Sequence, residues 1–289
     1  MLVAGTVQNY LSLVKFSHTI FAMPFAVIGF TLGVSQPGQQ FDGSLFILVI
    51  LCMIFARTAA MAFNRWADRH YDVKNERTRV REIPSGIVSE RSAALLVILS
   101  SLAFIITTWF INKLCFALSP VALLVILGYS FTKRFTWLCH LVLGIGLSLA
   151  PIGAYLAVTG VFSWIPILFS MAVLTWVTGF DIIYALQDEE FDKSLDLYSM
   201  PSIFGKKRAL NTSVFFHAMS ATFLALAGIL GGYGYIFWFG YLVFTSLLIY
   251  QHTLVKADDI SKVNIAFFTT NGIASLVFAA FVVTELILQ

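Results

Sequence analysis

Asn64, Asp68 and Asp72 recur at steps of four in "FNRWADRHYD", and Asp181, Tyr184, Asp188 and Asp192 recur at steps of three and four in "GFDIIYALQDEEFD". A helix turns once every 3.6 residues, so each set projects from one face as a polar ridge. Both ridges contain the same local arrangement, two aspartates four apart with an aromatic just before the second, "DRHYD" and "DEEFD". A single carboxylate at a helix end is ordinarily just solvated. Two rows brought face to face repel each other unless a cation sits between them. Hard oxygen ligands suit Mg²⁺, which binds through one or two carboxylates together with substrate phosphates. The chemistry these residues point to is a metal–diphosphate clamp.

Basic residues surround the rows. "NERTRVREIPSG" carries Arg77, Arg79 and Arg81, whose forked guanidinium groups match phosphate oxygens, and "GYSFTKRFT" supplies Tyr129, Lys133 and Arg134. Arg57 lies seven residues before Asn64 in the apolar stretch "IFARTAAMAF", about 10 Å deeper along a helix axis. An arginine at that depth needs an anion, either Asp181, a ligand carboxylate or a phosphate. Asp181, two turns before Asp188, is at membrane depth as well, where ionisable groups are costly and tend to be functional.

These residues must be positioned by elements that live in lipid. Of the 289 residues, 59% are hydrophobic and 11% charged, far from the roughly 25% charged residues of soluble domains. Apolar stretches of spanning length occur near 13–34, 44–66, 91–111, 115–132, 138–158, 163–186, 209–231, 233–255 and 264–287. The expected fold is an all-α membrane protein, one domain over 1–289, with nine transmembrane helices. Lys and Arg crowd the even-numbered connections, and only Lys113 sits on an odd one, so the N-terminus and the charged cap are expected on the cytoplasmic side. Topology thus accounts for the net charge of +3, and no nucleic-acid partner is implied. The opening "MLVAGTVQNYLSLVKFS" lacks the basic start and cleavage site of a secretory leader. Cys52, Cys115 and Cys139 have no CxxC spacing and read as packing residues.

"NRWADRHYDVKNERTRVREIPSG" and "DIIYALQDEEFDKSLDLYSMP" resemble the two signature regions of the UbiA-type intramembrane aromatic prenyltransferases, and "VKFSHTIFAMPFA" is similar to their 4-hydroxybenzoate polyprenyltransferase-like subgroup. The resemblance implies helices around a central cavity open to lipid, with Mg²⁺ between the aspartate motifs. A polyprenyl diphosphate would be the donor and an aromatic ring carbon the acceptor. Asn64, Asp68, Asp72, Asp188 and Asp192 would then hold the metal and diphosphate. Arg77 and Lys133 would contact the diphosphate, with Arg81 and Arg134 nearby, and Tyr129 and Arg57 would lie near the acceptor or the allylic carbon. Asp181 and Tyr184 complete the substrate-binding set. Many relatives have "RPL" where this loop reads "REIPSG", which bears on the acceptor.

The implied setting is the bacterial inner membrane and ubiquinone biosynthesis, with no obligate protein partner. A dihydroxynaphthoate acceptor in menaquinone biosynthesis is the alternative within the family. A cation-coupled transporter is the alternative outside it, disfavoured because the rows sit near one surface rather than the midplane. A CDP-alcohol phosphotransferase would need a D-x-x-D-G-x-x-A-R run, which is absent.

Overall fold

The computed structural model describes residues 2–14 and 21–289, with side chains from residue 8 onward. Helices follow the apolar stretches closely: α1 (Leu2–Leu13), α2 (Met23–Val34), α3 (Gly43–Ala67), a single turn α4 (Arg69–Asp72), α5 (Glu90–Ile111), α6 (Lys113–Thr132), α7 (Cys139–Thr159), α8 (Trp164–Ala185), a short α9 (Glu189–Ser194), α10 (Met200–Leu230), α11 (Tyr235–Leu254) and α12 (Asn271–Leu288). A 3₁₀ turn, Leu186–Asp188, leads from α8 into α9, and a π-helical turn, Ile265–Thr270, leads into α12. No strand occurs among the described residues.

Among the described residues seven helices are long and apolar enough to cross a membrane, which makes this an integral membrane protein. The expectation was nine. The difference lies in α2 and α11. The 12 residues of α2 rise only about 18 Å, against about 30 Å of hydrocarbon; residues 15–20 of the expected first span, within "VKFSHTIFAMPFA", lie outside the described residues. α11 is long enough, but Tyr250, Gln251 and His252 dilute its apolarity toward the C-terminus.

Side chains that cap helices also hold them to one another. Asn112 Oδ1 accepts from the Cys115 N–H at 2.8 Å to cap α6, while its Nδ2 donates to the Leu156 carbonyl at 2.8 Å near the end of α7. α8 is the central helix, with 67% of its apolar stretch buried against 17% for α6. Trp176 and Phe169 on α8 pack with Phe25, Phe237, Phe244 and Phe278 from three other helices, and the Trp176 indole N–H finds Asn271 Oδ1 at 2.9 Å. Lipid gives little hydrophobic drive to bring helices together, so close packing has to. Gly144 shows this: a Cβ there would stand 2.4 Å from the Leu174 carbonyl oxygen, so only glycine lets α7 lie this close to α8.

Candidate active site

α3 does not run unbroken through its acidic row. It ends at Ala67, Asp68 leaves helical geometry at φ −91° and ψ 3°, and α4 restarts the chain for one turn. The row survives because the Asp68 N–H still donates to the Asn64 carbonyl at 2.9 Å and the Asp72 N–H to the Asp68 carbonyl at 2.8 Å. Asn64 Nδ2 then donates to Asp68 Oδ2 at 3.0 Å. The second row bends comparably, through the 3₁₀ turn that ends at Asp188.

Asp68, Asp72, Asp188 and Asp192 are each met by a basic side chain of the protein itself. Arg81 reaches Asp72 at 2.7 Å and Arg134 reaches Asp68 at 3.4 Å. Arg77 grips Asp188 with two bonds, Nε to Oδ1 at 3.2 Å and Nη2 to Oδ2 at 2.6 Å, while Lys133 lies 2.7 Å from Asp192. The arrangement crosses over: the loop after α4 sends Arg81 to the first row and Arg77 to the second, and the end of α6 sends Arg134 to the first and Lys133 to the second. Thus the charged connections after α3, α6 and α8 meet at one end of the bundle. Arg134 is further fixed over the rings of Phe131 and Tyr71, at 4.8 and 5.2 Å, and Arg77 donates to the Tyr184 hydroxyl at 3.0 Å. Tyr184 in turn stacks on Phe267 at 4.1 Å.

These groups open onto a cavity of about 990 Å³. Arg57, Asn64, Asp68, Asp72, Arg77, Arg81, Tyr129, Lys133, Arg134, Asp181, Tyr184 and Asp188 all line it, and Phe180, Leu143, Leu147 and Ala150 are among its apolar walls. The expected site residues are therefore brought together, with one exception. Asp192 is fully buried behind the wall, its Oδ2 accepting from Ser199 and its Oδ1 facing Lys133. Asp181 does not stand free to meet Arg57, since its Oδ2 lies 2.7 Å from His140 Nδ1.

Burial, reinforced by the neighbouring Asp72 carboxylate, pushes the Asp68 carboxyl above its ordinary pKa. Burial likewise pushes Asp192 up, against the pull of Lys133 and Ser199. For Lys133 burial works against the charge, but Asp192 outweighs it and raises the ammonium pKa.

A divalent cation would reverse the strain at Asp68. Among the described residues no three His, Cys, Asp or Glu side chains converge on a ready-made metal centre, because basic groups stand between the rows. The residues nonetheless fit Mg²⁺, which needs only one or two carboxylates when a diphosphate supplies the rest. Asp72 keeps one buried oxygen, Oδ2, with no hydrogen-bond partner among the described residues. A buried, unsatisfied carboxylate oxygen is expensive unless a ligand takes it up.

Four cavity residues escape a reading of spacing. Asn75 donates to Asp188 Oδ1 at 3.2 Å, Glu82 accepts from Ser12, Arg65 is buried at the wall, and His140 partners Asp181. Asn75 sits in the polar run before Arg77 and had that much signal. His140 had none of its own, since a lone histidine opening an apolar helix reads as core.

The UbiA prenyltransferase family model matches residues 22–273. The 4-hydroxybenzoate octaprenyltransferase of Nitrosomonas eutropha is 32% identical over 246 residues, covering 85% of this chain and 86% of that protein. That of Shewanella halifaxensis is 30% identical, covering 86% of each. Among solved structures, the apo UbiA homolog from Aeropyrum pernix K1 superposes with a TM-score of 0.84 at 30% identity, over 93% of this chain and 98% of that one. The UbiA homolog from Archaeoglobus fulgidus bound to GPP and Mg²⁺ shares the fold at a TM-score of 0.74 and 21% identity, over 96% of this chain and 99% of that one.

Proposed function

The chain belongs to the UbiA prenyltransferase family and is an aromatic polyprenyltransferase, and from that premise we propose that it moves a polyprenyl group from polyprenyl diphosphate to a ring carbon of a 4-hydroxybenzoate-type acceptor. The observation that carries this reading is the cavity itself: an apolar chamber with two acidic rows at one end, each neutralised by basic side chains from the same two segments. The relatives named above as 4-hydroxybenzoate octaprenyltransferases support the acceptor and the ubiquinone pathway. The transporter alternative finds no support in the family match.

In this reading Asn64, Asp68, Asp72 and Asp188 hold Mg²⁺ with the donor's diphosphate. Asp192 acts from behind the wall by placing Lys133. Bound there, the metal supplies positive charge against the departing diphosphate. The protein's own groups share that work. Each arginine that pairs with a carboxylate exchanges it for diphosphate oxygens, since the guanidinium fork fits both partners. The allylic C–O bond then ionises, its electron pair leaving with the diphosphate. Phe180, Tyr184 and the aliphatic walls keep water from the allylic cation, and the aromatic faces stabilise it. Tyr129 and Arg57 lie toward the acceptor, with Arg57 receiving the acceptor carboxylate.

In this reading the chain crosses a bacterial inner membrane nine times, the segments around α2 and α11 adding two crossings to the seven long helices, with the N-terminus and the ion-paired end on the cytoplasmic side. The basic even-numbered connections support this orientation.

Purified protein in detergent is tested by mass spectrometry with a polyprenyl diphosphate and either 4-hydroxybenzoate or 1,4-dihydroxy-6-naphthoate, with Mg²⁺ and with EDTA. Mg²⁺-dependent prenylated 4-hydroxybenzoate is expected. Product from the naphthoate alone moves the protein to menaquinone biosynthesis, and absence of any prenylated product overturns the reading.

A further inference from the structure

Behind Asp181 stands a histidine whose protonation state the backbone decides. His140 Nδ1 lies 2.7 Å from Asp181 Oδ2, and the Met200 backbone N–H donates to His140 Nε2 at 3.2 Å. A backbone N–H has only a proton to offer, so Nε2 carries the lone pair and the ring proton is on Nδ1. The imidazole is a neutral donor, and Asp181 is the acceptor, a carboxylate. Met200 opens α10, where the first N–H groups have no carbonyl within the helix to bond. Protonating Nε2 would set one donor against another and leave the Met200 N–H unsatisfied in a buried place, which is costly.

The pair is also aimed. The Asp181 side chain is 23% exposed and that of His140 4%, so the carboxylate faces the cavity and the imidazole supports it from behind. The support is held by the close packing of α7 on α8, where Thr178 Oγ1 donates to the His140 carbonyl at 3.4 Å beside Gly144. Asp181 precedes Asp188 by seven residues, about 10 Å along a helix axis, which sets it deeper in the cavity than the diphosphate end. None of the basic side chains that neutralise the other aspartates pairs with it. A carboxylate held at membrane depth by a single ring-nitrogen hydrogen bond is placed to accept a proton.

We propose that Asp181 is the base that removes the ring proton after the new C–C bond forms, and that His140 is the positioning residue that holds it turned toward the cavity; this rests on the prenyl-transfer reading above. The step balances. The diphosphate leaves with the C–O pair, and the ring's π pair then forms the bond to the allylic cation. The ring carbon's C–H pair then restores aromaticity, and its proton passes to an Asp181 oxygen.

The test compares wild type, Asp181→Asn, His140→Leu and His140→Asn with 4-hydroxybenzoate, either ring-protiated or ring-deuterated. The asparagine at 140 keeps an N–H donor near the place of Nδ1. Asp181→Asn and His140→Leu are expected to lower kcat by about 10²-fold or more, to leave the KM for prenyl diphosphate unchanged, and to show a larger deuterium isotope effect than wild type. His140→Asn is expected to recover most of the lost kcat. A raised KM for the acceptor with unchanged kcat and isotope effect makes Asp181 a binding residue and overturns the proposal; so does His140→Leu behaving as wild type. Absence of product from wild type overturns the transfer reading itself, a result distinguishable from either.

Discussion

The two acidic rows are written alike and used differently. In the first row the last aspartate, Asp72, gives one oxygen to Arg81 and keeps the other buried without a hydrogen-bond partner among the described residues, at the cavity wall. In the second row the last aspartate, Asp192, is fully buried and ties Lys133 to the start of α10 through Ser199. The Ser199 hydroxyl is also the N-cap of α10, accepting from the Ser202 N–H at 3.3 Å. Gly205, at φ 77°, then kinks α10 just beyond its first turn, a conformation glycine adopts without strain. Identical spacing thus leaves the last aspartate at the cavity wall in one row and packed against Ser199 and Lys133 in the other, because the chain that follows each aspartate differs. After Asp72 comes an arginine-bearing loop that returns over the cavity. After Asp192 comes a helix start that closes over the carboxylate.

The comparison breaks first at the residues that the rows share in function. Asp68→Ala and Asp188→Ala should each abolish turnover at saturating Mg²⁺, by about 10³-fold or more, while the protein stays in the membrane. Near-normal activity in either would remove the clamp. The sharper contrast is between Asp72→Asn and Asp192→Asn. The first should weaken the Mg²⁺ dependence of activity about tenfold to a hundredfold, in the range seen when support for a metal site is lost, with little change in thermal stability. The second should lower the melting temperature more than it shifts the Mg²⁺ dependence. Equal behaviour of the two in a thermal melt and a Mg²⁺ titration would return Asp192 to the metal.

A smaller effect tests the deeper cavity. Arg57→Ala should raise the KM for a carboxylated phenol about tenfold more than for its decarboxylated analogue, the scale of one charged hydrogen bond. An equal effect on both would make Arg57 structural. The smallest effect concerns pH. Burial and Asp72 raise the Asp68 pKa, so protons compete for that carboxylate above its ordinary range. The Mg²⁺ concentration for half-maximal activity should therefore rise as pH falls, and Asp68→Asn, if residual activity is measurable, should flatten that dependence. The linkage for folding runs the same way. Stability from a raised carboxyl is present at low pH and lost as pH rises through the raised pKa, so Mg²⁺ should stabilise the protein more at higher pH, as read by melting temperature.

Most of this architecture is legible from the amino-acid order alone. Apolar stretches of about 20 residues locate seven of the nine expected membrane helices, most of them to within a few residues, because hydrocarbon thickness and backbone hydrogen bonding leave the chain few choices. The acidic rows follow from helical period, and that period survives the breaks at Asp68 and Asp188. What sequence leaves open is which partner each charge takes. Arg57 and Asp181, both at membrane depth, were plausible partners by position, yet α7 brings His140 to Asp181 instead. The crossed pairing of Arg77 and Arg81, and of Lys133 and Arg134, likewise depends on where two loops come to rest over the bundle.

The order of residues by itself determined the solvent, the helices and the residue types at the reacting end, since each depends on local composition and a fixed helical pitch. Tertiary structure alone decided that Asp192 turns inward, that Asp72 keeps an oxygen to offer, and that His140 stands between Asp181 and the Met200 N–H. Those outcomes depend on atoms tens of residues away, on Ser199 and the Met200 N–H, whose positions no local periodicity encodes.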